Sequence, residues 1–219
     1  MIKEKMIELN NDLIDYASIV ESMINKSIKG LLDKNENLLR EVMLKDEEEV
    51  NKLETYMDRE ITEFIAQYEP KAVDLRRALM MFKMSNDLER IGDHAVNICE
   101  SATFLIERPQ LKSFDDLPAM AEAVIEMLKK SIESFVTMNA VLAEEVCKMD
   151  DAIDEARKRI SDELSEIMRL DSTSIDRAMH LNRIAGNLER IADLSTNIGE
   201  DVIFIHSGRV IKHNKNIKG

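Results

Sequence analysis

The chain repeats itself. The fifteen residues from Asn86 to Glu100 align at an offset of 100 with Gly186 to Glu200, and eight of the fifteen pairs are identical, where unrelated segments would share about one. At the same offset Arg77-Ala78 matches Arg177-Ala178 and Phe104 matches Phe204, while an offset of 103 aligns Glu47-x-x-Val50-Asn51 with Asp150-x-x-Ile153-Asp154. A period this long in a chain of 219 residues demands two copies of one unit. The expected division is residues 1–108 and 109–219.

The unit itself reads as helical. The sequence holds 6 Gly, 3 Pro and no Trp, too few residues to punctuate strands and turns. Ile7, Ile14, Met23, Ile24, Ile28, Leu31 and Leu32 recur at helical spacing and predict a helix over 4–33. A short segment over 36–44 follows, then a helix over 46–67 with Val50, Leu53, Met57, Ile61 and Phe64 on one stripe and acids in its first turn. A third helix over 71–107 ends at Arg108-Pro109, because proline cannot continue the ladder. A linker over 108–117 leads to the second copy, with helices over 118–138, 149–169 and 173–206, a stop at Gly208 and a basic tail from Arg209 to Gly219. The fold class is all-α: two tandem, pseudo-symmetric three-helix bundles, laid end to end.

At 100° per residue, Glu89, Asp93, Asn97 and Glu100 fall within about 80° of one another. Leu88, Ile91, Ala95, Ile98, Ala102 and Leu105 take the opposite side. The second copy sets Glu189, Asp193, Asn197 and Glu200 against Leu188, Ile191, Ile198, Val202 and Ile205. On the second helix of each unit, Glu47 with Asn51 and Asp150 with Asp154 are also spaced i,i+4, so pairs from adjacent helices can converge on one ion. Oxygen ligands of this kind suit Mg²⁺, Ca²⁺, Mn²⁺ or iron better than zinc or copper. A solvated acidic face is the plain alternative; like charges at i,i+4 cost ~0.2–0.5 kcal/mol each, and that cost recurs at matched positions. His94 faces Leu194 in the alignment and reads as structural, as do Cys99 and Cys147, which lack C-x-x-C spacing.

These residues, Leu88-Glu89-Arg90-Ile91-Gly92-Asp93-His94-Ala95-Val96-Asn97-Ile98 and Leu188-Glu189-Arg190-Ile191-Ala192-Asp193 to Asn197-Ile198, resemble the duplicated signature of the PhoU family, and Ala72-x-Asp74-Leu75-Arg76 and Gly208-Arg209-Val210 with His213 support it. The resemblance covers nearly the whole chain. It implies two pseudo-symmetric bundles and surface-bound metal, as multinuclear iron clusters held by paired E(D)-x-x-x-D motifs. Here these would be Glu89 and Asp93 with Glu47, and Glu189 and Asp193 with Asp150 and Asp154. Asn51 departs from the acid of the pattern, and a neutral amide oxygen holds a cation less strongly, which makes the first site the weaker expectation.

The resemblance further implies a non-catalytic negative regulator of phosphate uptake and of the phosphate-starvation response, linking the ATPase subunit of a phosphate ABC transporter to a sensor histidine kinase. A net charge of −13 with interspersed basic residues argues against nucleic acid as a partner. The first residues lack the apolar region of a leader and no apolar run reaches the ~18 residues of a span, so a cytoplasmic protein is expected, docked peripherally at the inner face of the membrane where its partners sit; a homodimer is compatible with the sequence. Two other readings compete: a carboxylate-bridged di-iron oxidase or ferroxidase, which would build its site inward from Glu-x-x-His, and a metal-free helical adaptor.

Overall fold

Asn35 and Asn139 start the second helix of each unit in the same way. Each side-chain oxygen accepts the N–H groups of the residues two and three further on, at 3.1 and 3.4 Å for Asn35 and 3.1 and 3.2 Å for Asn139, satisfying donors that a helix N-terminus leaves open. Each cap follows a residue with positive φ, Lys34 (φ 51) or Met138 (φ 52). In a computed structural model describing residues 2–111 and 116–207, these caps organise seven α-helices. They are α1 (Ile2–Leu32), α2 (Glu36–Glu41), α3 (Glu47–Tyr68), α4 (Val73–Ile106), α5 (Asp116–Thr137), α6 (Ala140–Leu170) and α7 (Ile175–Ser207). No strand occurs among the described residues. Residues 112–115 of the expected linker, the stop at Gly208 and the tail with Arg209, Val210 and His213 lie outside the described residues.

Two expectations are corrected here. The segment over 36–44 is not separate: α2 passes through a single π turn, Val42–Asp46, directly into α3. Asp46 has helical φ and ψ and makes no side-chain cap, so the chain has no reason to break there. Lys26 instead straps the turn from α1, donating to Glu41 at 2.9 Å and to Asp46 at 2.7 Å. In the second unit the corresponding helix starts at Ala140 rather than 149, because Asn139 caps it and Ala143 and Val146 continue its buried stripe.

The π turn also explains one step in the offset of the repeat. The caps Asn35 and Asn139 correspond at 104, as do Ala17 with Ala121, Val20 with Val124, Met23 with Met127 and Ser27 with Ser131. Beyond the turn the buried positions Val50 and Ile153, and Met57 and Ile160, correspond at 103. A π turn holds one residue more than the α-helix it interrupts, which absorbs the difference.

The units pack side by side rather than end to end, α4 against α7 and α1 against α5. The first pair is antiparallel: Lys83 near the start of α4 binds Asp201 near the end of α7, Arg183 binds Glu100 at 2.9 Å and Asn97 at 3.0 Å, and Phe104 stacks on His180 with centroids 3.9 Å apart. Lys83 and Arg183 are equivalent positions of the repeat, so each unit contributes the same kind of cation to the seam. Buried residues from Met6 to Ile205 form one continuous apolar cluster.

Candidate functional site

Two acid clusters follow from this frame, one in each unit, between the second and third long helices. In the first, α4 presents Glu89 and Asp93 one turn apart, as the i,i+4 spacing requires. Facing them from α3 are Glu54 and Asp58, also i,i+4, and the sequence reading did not single these out. Burial first, and then Asp93 and Glu54, push the Glu89 carboxyl up from its ordinary value; Arg90 opposes them and Glu47 adds at the margin. Glu54 is raised by burial and by Asp58 and Asp93, and Asp58 by burial. Glu89 is half-buried, whereas Asp93 and Glu100 of the same stripe are exposed. Asn51 is exposed and its side chain makes no hydrogen bond among the described residues. Asn97 is drawn to the seam, donating to the Asp93 carbonyl at 3.0 Å and accepting from Arg183. Glu47 remains in electrostatic reach, and Asn51 shares its face of α3 with Glu54 and Asp58; Asn97 is turned to the seam.

Tyr16 of α1 closes the floor. It is fully buried, its hydroxyl has no hydrogen-bond partner among the described residues, and its phenol is pushed up first by burial and then by Glu54, Glu89, Asp58 and Asp93. Asp58 Oδ1 is likewise buried without a partner. A buried polar atom left unpaired costs ~1–3 kcal/mol, and here two of them accompany four carboxylates. Such a donor set fits a hard divalent cation. Among the described residues no three His, Cys, Asp or Glu side chains converge at ligand distance, so holding an ion requires the carboxylates to draw together.

In the second cluster Asp150 and Asp154 of α6 face Asp193 of α7. Asp150 is pushed up to about 6, by burial first and then by Asp154 and Asp193, against a hydrogen bond from Thr196. Asp193 is raised by burial, with Arg190 opposing. A groove of about 670 Å³ runs beside them between α4, α6 and α7, with Arg90, His94, Asn197 and Glu200 on its walls. His94 crosses the seam to Asn187, its Nδ1 2.9 Å from Oδ1. Glu189 does not join the other acids; its carboxylate pairs with Arg157 at 3.5 Å. Both cysteines are free, with thiols pushed up by burial to about 12 for Cys99 and about 11 for Cys147, far from nucleophilic thiolates.

The raised Asp150 carboxyl has a sign that can be tested. A group that holds its proton more tightly folded than unfolded favours the folded state at low pH, and that contribution is lost as pH rises from the ordinary value of 3.8 through about 6. Chelator-treated wild-type protein should therefore lose ~1–3 kcal/mol more stability across this window than Asp150→Asn. Denaturant unfolding of both proteins at pH 4.5 and 7 checks this; Asp87, also raised to about 6, contributes equally to both and cancels.

The scaffold is an all-helical duplicated bundle with acid clusters between the second and third long helices of each unit. The PhoU domain family model matches residues 13–102 and again 117–202. The chain belongs to the PhoU family. It is 36% identical over 210 residues, 96% of this chain and 95% of the relative, to the phosphate-specific transport system accessory protein PhoU homolog of Aquifex aeolicus. A Thermotoga maritima protein with the same description, homolog 2, is 32% identical over 97% of this chain and 90% of its own. The crystal structure of PhoU from Pseudomonas aeruginosa superposes with a TM-score of 0.91 at 27% identity, covering 95% of this chain and all of that one. No described helix is long and apolar enough to cross a membrane.

Proposed function

We propose that this chain is a metal-binding, non-catalytic accessory protein of phosphate transport that holds down phosphate uptake and the phosphate-starvation response when phosphate is plentiful. The observation that carries this reading is near full-length similarity to relatives described as phosphate-specific transport system accessory proteins. Its partners are the ATPase subunit of a phosphate ABC transporter and a sensor histidine kinase, met at the cytoplasmic face of the membrane. An acidic surface, at a net charge of −13, steers it toward basic patches on those partners, and binding weakens as salt rises.

The first cluster is the stronger metal site. Glu54, Asp58, Glu89 and Asp93 supply the carboxylates, with Glu47 at the margin, and the unpartnered hydroxyl of Tyr16 supports a ligand there. Glu54 and Asp58 thus make good the neutral Asn51. In the second cluster Asp150, Asp154 and Asp193 are the ligands. A bound divalent cation or iron cluster would supply positive charge beyond that of Arg90, tightening the packing of α3 and α4 and fixing the surface presented to a partner. Deleting the gene should leave phosphate-responsive genes switched on in phosphate-rich medium. Normal repression in the deletion strain, with no capture of either the ATPase subunit or the kinase by the tagged chain, would overturn the assignment.

A further inference from the structure

The two clusters occupy equivalent positions and reach opposite electrostatic outcomes. Offset 103 places Arg157 where the first unit has Glu54 and Ser161 where it has Asp58; offset 104 places Met120 where it has Tyr16. Glu89 therefore faces acids and an unpartnered buried hydroxyl, whereas Glu189 faces a guanidinium at 3.5 Å, and a buried thioether stands in place of the phenol. Arg157 is held by one hydrogen bond and one longer ion pair, its buried Nε making no hydrogen bond among the described residues. Its Nη1 donates to Asn182 Oδ1 at 2.9 Å, and the guanidinium lies over Gly186, where a Cβ would stand 3.6 Å from both Nε and Nη2. The first unit carries Phe82 and Asn86 at these two positions. One face of α7, Asn182-Gly186-Glu189, is thus shaped to hold a guanidinium.

We propose that Arg157 is a built-in counter-cation that takes in the second unit the place a divalent cation takes in the first, so that Glu189 is withdrawn from metal binding and the first cluster alone binds divalent cations tightly. This rests on the reading that Glu54, Asp58, Glu89 and Asp93 hold a cation. An arginine stays protonated at any physiological pH. The first unit can therefore gain and lose its charge with metal supply, and the second carries its charge permanently.

The test exchanges the two arrangements in the full chain, stripped with chelator and titrated with Mn²⁺, reading bound metal by equilibrium dialysis and Tm by calorimetry. Wild type should show one class of tight sites, lost in Glu54→Gln. Arg157→Glu should lower the Tm of the stripped protein by about 2–4 °C, create a second class of tight Mn²⁺ sites and recover its Tm when they fill. Glu54→Arg should raise the Tm of the stripped protein and weaken Mn²⁺ binding at least about tenfold. If Arg157→Glu does not fold, Arg157→Gln carries the same arm through its gain in bound Mn²⁺. Equal tight binding at both clusters in wild type, or no gain of sites in either Arg157 variant, overturns the proposal. Failure of the parent reading looks different: no tight Mn²⁺ on wild type but uptake by Arg157→Glu removes the first site and leaves Arg157 as the counter-cation, and no uptake by any variant removes both.

Discussion

Replacing Glu54 and Asp58 together by Gln and Asn is expected to make the metal-free protein more stable and to abolish its stabilisation by divalent cations. Most double substitutions of half-buried residues destabilise. Here the wild-type side chains are held against their preference: burial raises both carboxyls, Asp58 and Asp93 add to the rise at Glu54, and Asp58 Oδ1 finds no donor among the described residues. Neutral amides of the same shape remove the repulsion, and each can donate to Glu89 or Asp93. The gain should be on the order of 1 kcal/mol, the scale of one relieved polar atom. Thermal unfolding with and without Mn²⁺ checks both halves. A loss of stability in the metal-free variant would show that the four acids are structural.

Phe135→Ala should have the opposite sign and the largest size, about 3–5 kcal/mol of destabilisation, as for other large aromatics removed from a packed core. Phe135 is fully buried near the end of α5, and Arg77 of the other unit lies over its ring, 5.8 Å from the centroid, while donating to the Val136 carbonyl at 3.4 Å. The cavity therefore opens at the seam between the units. Because one apolar cluster runs through both, the variant should still unfold in a single transition at a lower denaturant midpoint. Two separated transitions would show that the units fold independently and that the seam contributes little.

The third helix of each unit was legible in the sequence because Leu-Glu-Arg-Ile-x-Asp stands at one offset in both copies, and the all-helical class followed from periodicity. Other features escaped for identifiable reasons. Glu54 and Asp58 were passed over because demanding the same residue in both units hides a position where one unit has Glu54 and the other Arg157. Tyr16 reads as an ordinary core aromatic until the acids around its hydroxyl are placed. The start of α6 was missed because Met138 adopts positive φ without being glycine, leaving no stop or cap signal except Asn139. The π turn shifts the register by one residue, so the shared pattern of α1 and α5, at offset 104, is one residue out from that of α3 and α6, at 103.

The central claim is that the acid cluster between α3 and α4 is a cation site on a regulatory scaffold. The direct measurement is equilibrium binding of Mn²⁺ and Fe²⁺, the latter without oxygen, to the chelator-stripped full chain and to Glu54→Gln/Asp58→Asn. Saturable, stoichiometric uptake by the wild type, lost in the variant and accompanied by a rise in Tm, is the predicted result. Uptake unchanged by the two substitutions, or none by the wild type with either ion, would contradict it.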